Sequence, residues 1–175
     1  EGSKRNFTQS LKYLKRRHEL FPQNIQFTLS LSIAYWMTGI NETALTLLEQ
    51  EVIAKGFDMS AYQLLHAALL IENNQLNMAK SLLIKAESSI LNTENINANN
   101  HMEHAMIYAI LGDKEKSLTS LASSLNAGWI SDFNLNWWRL EDNPFLSNIK
   151  HEEEFKTIVI NYYEQLKVIT STEGI

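Results

Sequence analysis

The fold turns on Ala105–Leu121, AMIYAILGDKEKSLTSL. A small residue, Ala105, is followed three positions on by Tyr108. Gly112-Asp113 then interrupts the apolar run, and after a charged stretch come Ser117 and Leu121. Residues three and four apart share a face of a helix, so Ala105 and Tyr108 lie on one side of a first helix. Gly112 can take the left-handed conformation that ends a helix. Ser117 and Leu121 then lie one turn apart on the inner face of a second helix.

The same spacing occurs twice upstream. Ser32, Tyr35, Gly39, Ala44 and Leu48 fill it once; Ala67, Leu70, Asn74, Ala79 and Leu83 fill it again, with Asn at the turn. The small residues predict two helices in close antiparallel contact. Asn is the next best residue after Gly for the left-handed turn. The frame gives three 34-residue units, 25–58, 60–93 and 98–131. A half-unit precedes them over 7–24, with Ser10 in the small slot, Leu14 one turn on and Pro22 at the end. Its first helix is missing and the chain starts at Glu1, which leads to the expectation of a segment cut from a longer protein.

A 34-residue helix–turn–helix period with these slots resembles the tetratricopeptide repeat. The resemblance implies an all-α fold, a right-handed superhelix of antiparallel helix pairs, read here as one domain over 1–175. Thr28 and Gln63 depart from the usual large first-helix residue, and His66 and His104 from an aliphatic one. After Gly128-Trp129 the repeat breaks, and residues 132–175 are expected to cap the array. There, Asn143-Pro144 reads as a cap followed by a first helical position. His151–Glu154 opens a helix whose acids suit the positive end of the helix dipole. Phe155, Ile158, Val159, Tyr162, Tyr163 and Leu166 form its apolar stripe. The polar run Asn92–Asn100 reads as a loop.

Residues 143–155, NPFLSNIKHEEEF, resemble the segment that closes tetratricopeptide arrays in many bacterial signalling proteins, Asp-Pro-x-Leu-x-x-Leu-Arg-x-x-Pro-x-Phe after a Gly-aromatic pair. Glu153 stands in place of the second Pro. Such arrays are similar to the C-terminal halves of membrane-linked winged-helix regulators, nucleotide cyclases and protein kinases. The implied role is the accessory part of a bacterial signalling or transcription-regulatory protein. The compartment stays open between cytoplasm and, for a membrane-linked regulator, periplasm.

Composition narrows the chemistry. The 175 residues include 45% hydrophobic residues, six Gly, two Pro and no Cys, which favours helices over an all-β fold and removes thiolate chemistry. A net charge of −5 argues against a nucleic-acid partner, and the one cationic cluster, Lys12, Lys15, Arg16 and Arg17, reads as a solvated helix face. No run approaches the roughly 18 apolar residues of a membrane span. His101 and His104 have the spacing of two metal ligands on a helix, yet zinc needs a third and fourth, and none is placed. No catalytic set and no cofactor signature is found, so the chain reads as a non-enzyme.

By the family resemblance, positions 2, 5, 9, 12 and 13 of each unit line a concave face. The candidate binding residues are Gln26, Leu29, Ile33, Trp36 and Met37 in the first unit, then Leu64, Ala68 and Ile71 in the second. Met102 and Met106 belong to the third. This face is apolar, which suits a peptide or helix and, with Leu29, Ile33, Leu65, Asn99 and Glu103 in the slots, argues against the carboxylate clamp that holds acidic chaperone tails. The partner is then another protein or peptide, or a neighbouring domain of the parent chain. Two alternatives stand beside it. The face could hold a small apolar molecule that regulates an attached output domain. Or it is filled from within, by an upstream helix, by helix 152–168 or by a second copy of the chain.

Overall fold

The computed structural model describes residues 2–56, 60–130 and 139–172. Among them are eight α-helices and no strand. The helices are α1 (Gly2–Leu20), α2 (Ile25–Met37), α3 (Asn41–Glu51), α4 (Ser60–Glu72), α5 (Leu76–Leu91), α6 (Ala98–Leu111), α7 (Lys114–Asn126) and α8 (Glu153–Thr172). Three short 3-10 turns cover Ile53–Lys55, Leu140–Asp142 and Pro144–Leu146. The last residues of the first and third sequence units, Asp58 and Ser131, lie outside the described residues, as does the stretch 131–138.

The three turns expected from spacing are built alike. Gly39, Asn74 and Gly112 have φ of 81°, 62° and 82°. In each, the next amide donates to the carbonyl five residues back: Ile40 to Tyr35 at 2.9 Å, Gln75 to Leu70 at 2.8 Å, Asp113 to Tyr108 at 2.9 Å. The turn residue's own amide reaches three back, to Trp36, Ile71 and Ala109. This paired closure satisfies carbonyls that the end of a helix leaves open. It also starts the next helix at once, through the bonds Ala44 to Ile40, Ala79 to Gln75 and Ser117 to Asp113. Tyr35, Leu70 and Tyr108 thus serve twice, with the side chain on a helix face and the carbonyl in the turn.

The small slots are all fully enclosed: Ser32, Ala44, Ala67, Ala79, Ala105 and Ser117 each show 0% exposure. Two of the pairs add a hydrogen bond between the helices. Ser32 Oγ donates to the Ala44 carbonyl at 2.9 Å, and Ser117 Oγ donates to the Ala105 carbonyl at 2.7 Å. The hydroxyl sits on the first helix in one pair and on the second in the other. Leu48, Leu83 and Leu121, one turn on, are also fully buried, each contributing about 1.5–3 kcal/mol by leaving water.

The chain, read from sequence as one domain, gathers into two compact units, Glu1–Ala86 and Glu87–Ile175, with α5 running through the division. In the first, α1 packs on α2 and α2 on α3. Leu14 joins Leu31 and Ala34, with Leu11, Tyr35 and Leu47 against them. α1 begins earlier and ends sooner than the half-unit 7–24, and Pro22 follows the helix. Thr28, an unusual residue for its slot, is buried because its hydroxyl bonds His18 Nδ1 at 3.2 Å. α3 packs on α4. Asn73 Nδ2 donates to the Asn41 carbonyl at 3.3 Å, tying the first turn to the second, and His66 meets Glu49 at 3.0 Å.

In the second unit α6 and α7 form the most extensively packed pair. The polar run expected as a loop through Asn100 is helical from Ala98. Asn97 caps α6 through the Asn99 and Asn100 amides, and the Asn100 side chain accepts from the Asn97 amide in return. Two side chains that looked like loop polarity are a capping box. The stripe expected on α8 is its buried face: Phe155, Val159 and Tyr162 sit in one core with Leu118, Leu121, Leu125 and Trp129, while Ile158, Tyr163 and Leu166 pack against it. Asn143 does cap, its Oδ1 accepting from the Phe145 amide at 3.0 Å. Pro144 opens only a single 3-10 turn.

Candidate functional site

α2 carries five of the candidate residues, at spacings of three and four that place them along one side of the helix. The Asn24 side chain fixes its start by accepting from the Gln26 amide at 3.0 Å. Along that side the exposure differs. Gln26 is exposed and Leu29 is buried, while Ile33, Trp36 and Met37 are half-buried. On α4, Leu64 and Ala68 are buried and Ile71 is half-buried. The described apolar surface of the first unit's first helices is therefore narrower than the sequence pattern implies. Ile33, Trp36 and Met37 on α2 and Ile71 on α4 remain accessible in part. Leu29, Leu64 and Ala68 serve the interior.

The third set is placed differently. Met102 is buried in the core of the second unit, beside Ala105 and Ala109, and Met106 packs against the same core. The segment from Arg139 to Lys150 lies on this side of α6. Asn143, itself buried, points Nδ2 at Met106 Sδ, 3.6 Å away. Asn148 Nδ2 donates to the Ala109 carbonyl at 2.9 Å, and Leu146 and Ile149 are fully buried. The segment is also fastened to α8. Tyr163 OH donates to Glu141 Oε2 at 2.9 Å and accepts from the Leu140 amide at 3.3 Å, with the Arg139 guanidinium over the Tyr163 ring. Burial, then the Glu141 carboxylate, raise the Tyr163 pKa. Lys114 pairs with Glu152, joining the α6–α7 turn to the residues before α8. Met102 thus serves the interior, and Met106, half-buried, is covered in part by Asn143.

The signal for this cover was partly present in the sequence. Asn143-Pro144 was legible as a cap. Asn148 carried no signal, because one amide side chain reaching a backbone carbonyl 39 residues away leaves no local pattern.

The histidines at 101 and 104 divide. His101 is half-buried, whereas His104 is buried, with its ring 5.9 Å from that of Tyr108 and no partner for Nε2. Burial lowers the His104 pKa; the Glu87 carboxylate opposes that shift and His101 adds to it. Tyr108 OH donates to Glu87 Oε1 at 2.5 Å, which with burial pushes the phenol up to about 12. Among the described residues no group of three or more His, Asp or Glu converges on a point a metal could occupy.

Chemically, the accessible part of the candidate face offers a primary amide, aliphatic chains, a thioether and an indole. These groups make contacts and hydrogen bonds. Near neutral pH they do not titrate. No protein-family model, no curated protein and no solved structure matches the chain.

Proposed function

We propose that this chain is a protein–protein interaction module of the tetratricopeptide type, a superhelical stack of helix pairs serving as the accessory part of a bacterial signalling or transcription-regulatory protein. The observation that carries the reading is the threefold turn. Three positive-φ residues at one offset, each closed by the same pair of bonds, stand between enclosed small residues. A frame repeated so closely holds successive first helices in a constant relation to their second helices, the property that makes repeat arrays binding surfaces.

The proposed contact surface is Gln26, Ile33, Trp36 and Met37 of α2 with Ile71 of α4. It takes an apolar helix or extended peptide. Trp36 is the anchor, since aromatic side chains dominate binding hot spots and Met37 adapts to shape beside it. Met102 takes no part because it is buried in the core of the second unit, and Met106 is left out because Asn143 packs on its sulfur.

The test is affinity capture from source-cell lysate with the wild type and a Trp36→Ala, Met37→Ala variant of unchanged helicity. A protein retained by the first and lost from the second, and whose addition slows amide exchange in residues 25–40, is the expected result. Identical captured sets, or exchange slowed elsewhere and not in α2, would overturn the assignment.

A further inference from the structure

Charge is divided along this chain. Residues 2–24 hold six Lys and Arg against Glu19 alone, whereas residues 25–86 hold three against five acids. The second unit, from residue 87 onward, holds six against 13. Six cations less one carboxylate give α1 a formal charge of +5 inside a protein whose net charge is −5. A positive balance confined to one surface helix is the signature of a site for anions, whatever the sign of the whole molecule.

The cations on its outer side are interleaved with apolar side chains. The inner side of α1 is Leu14, with Leu11 beside it. Tyr13, Arg16, Arg17 and Leu20 stand at i, i+3, i+4 and i+7, along one outward face. All four are exposed, Tyr13 at 72% and Leu20 at 54%, and exposed Lys12 lies one turn before Arg16. The Arg17 guanidinium lies 5.5 Å from the centre of the Phe27 ring, and Lys15 lies 5.2 Å from that of Tyr35. A ring holds a cation in place without neutralising it. Glu19 meets Arg16 at 3.3 Å, but both side chains are exposed, and such a pair is readily exchanged. Glu51 of α3 acts on His18, which is half-buried, and is itself paired with Lys55 at 2.7 Å.

A bilayer surface that carries anionic lipid makes use of both kinds of side chain. Its phosphates attract Lys12, Arg16 and Arg17, and the apolar boundary beneath them takes Leu20 and the Tyr13 ring, whose hydroxyl stays among the headgroups. A nucleic-acid backbone presents the charge but no apolar layer for Leu20. A folded protein partner has to match shape over roughly 800 Å² a side. The convex side of one helix, edged by long mobile cations, offers little for it to match, whereas lipid adapts to whatever enters it.

We infer that the outer face of α1 is a peripheral attachment site for anionic lipid surfaces, with Lys12, Arg16 and Arg17 at the phosphates and Tyr13 and Leu20 dipped into the headgroup boundary. The helix does not enter whole, because Leu11 and Leu14 stay packed on α2. The contact is therefore shallow and reversible. Each basic residue near such a surface strengthens binding about fivefold, so three of them give roughly a hundredfold. The attraction acts within a Debye length and weakens in salt. It uses none of the residues around Trp36, so it stands apart from the proposed protein-binding surface.

Co-sedimentation of the whole chain with vesicles tests this. The probes are phosphatidylcholine vesicles with and without about 30% phosphatidylglycerol, at low salt and at about 0.5 M salt. The wild type is expected to bind the anionic vesicles, and only at low salt. A Lys12→Gln, Arg16→Gln variant of unchanged helicity is expected to bind them about 25-fold less tightly. A Tyr13→Ser, Leu20→Ser variant, with its charge unchanged, is expected to lose about tenfold. Because the chain has no Cys, a polarity-sensitive dye can be placed through Leu20→Cys and, as a control, through Ile160→Cys at an exposed position of α8. Anionic vesicles are expected to blue-shift the dye at position 20 and leave that at 160 unchanged. No binding, equal binding to both kinds of vesicle, or a shift at 160 and not at 20 would overturn the inference. So would a serine variant that binds as well as the wild type, or heparin bound as tightly as the vesicles, since either would mark a site for polyanions in general.

Discussion

Ser32 and Ser117 answer one steric demand from opposite helices. Each fills a slot with no room for a longer side chain, and each sends its hydroxyl to the carbonyl across the pair. The α4–α5 pair has Ala67 and Ala79 there and makes no such bond. Ser32→Ala is therefore expected to cost only the net value of one hydrogen bond, about 0.5–1.5 kcal/mol. Ser32→Leu forces the helices apart and is expected to cost about 1–3 kcal/mol or more. Urea unfolding compares the two; equal midpoints would contradict the slot. At Gly112 a Cβ would meet nothing within 4 Å, so the demand for glycine comes from φ alone. Gly112→Ala is expected to lose about 1–2 kcal/mol, and Asn74→Gly to lose nothing, by the same measurement.

His104 makes the stability of the fold depend on pH. Its folded pKa is lowered from 6.5, chiefly by burial. The unfolded chain then binds more protons than the folded one between the two pKa values, and stability rises with pH across that window. The contribution is intact above about pH 6.5 and is lost as pH falls below it. His104→Leu removes both the buried ring nitrogen without a partner and this slope. The difference in unfolding free energy between variant and wild type is expected to widen in the variant's favour from about pH 7.5 to about pH 5.5. A difference constant with pH would show that His104 stays accessible to protons in the fold.

At the scale of elements, what the sequence made legible was whatever is set by neighbours a few residues apart. The helix pairs and their turns followed from Gly39, Asn74 and Gly112 at a fixed offset from small residues. The α8 stripe followed from periodicity. Two local features misled. Asn97 and Asn100 look like loop residues by composition, but they cap α6 reciprocally. Asn97→Ala is expected to cost about 1 kcal/mol, seen as faster amide exchange over the first turn of α6. Thr28 looked like a poor core residue because its partner, His18, lies on another helix.

The candidate face was harder to read than the frame. Periodicity tells which side of α6 is apolar. It does not tell that Asn143 and Asn148 bring residues 139–150 onto that side. On α2 and α4 it marks Leu29, Leu64 and Ala68 as strongly as Ile33, Trp36 and Ile71, although the first three are interior.

For the whole molecule, the division into two units is invisible in the repeat frame, since the spacing continues through α5 without a break. It has an energetic consequence. Phe155 is 2% exposed in the core that includes Met102 and Leu121, so Phe155→Ala is expected to remove about 3–5 kcal/mol from the second unit. Hydrogen exchange is expected to accelerate over α6, α7 and α8 and to change little over α1–α3. Uniform acceleration across the chain would mean that the two units unfold as one.

In the proposed function a partner reaches the first unit through Trp36, while Met102 is interior and Met106 is packed against Asn143 of its own chain. Photo-crosslinking distinguishes the two positions, with a benzophenone amino acid placed at position 36 in one protein and at position 106 in another, each irradiated in source-cell lysate. The expected result is a discrete crosslinked partner from position 36, competed by unlabelled wild type, and from position 106 only an internal crosslink to residues 139–150. A partner captured at 106 and not at 36 would contradict both the role of Trp36 and the internal packing of Met106.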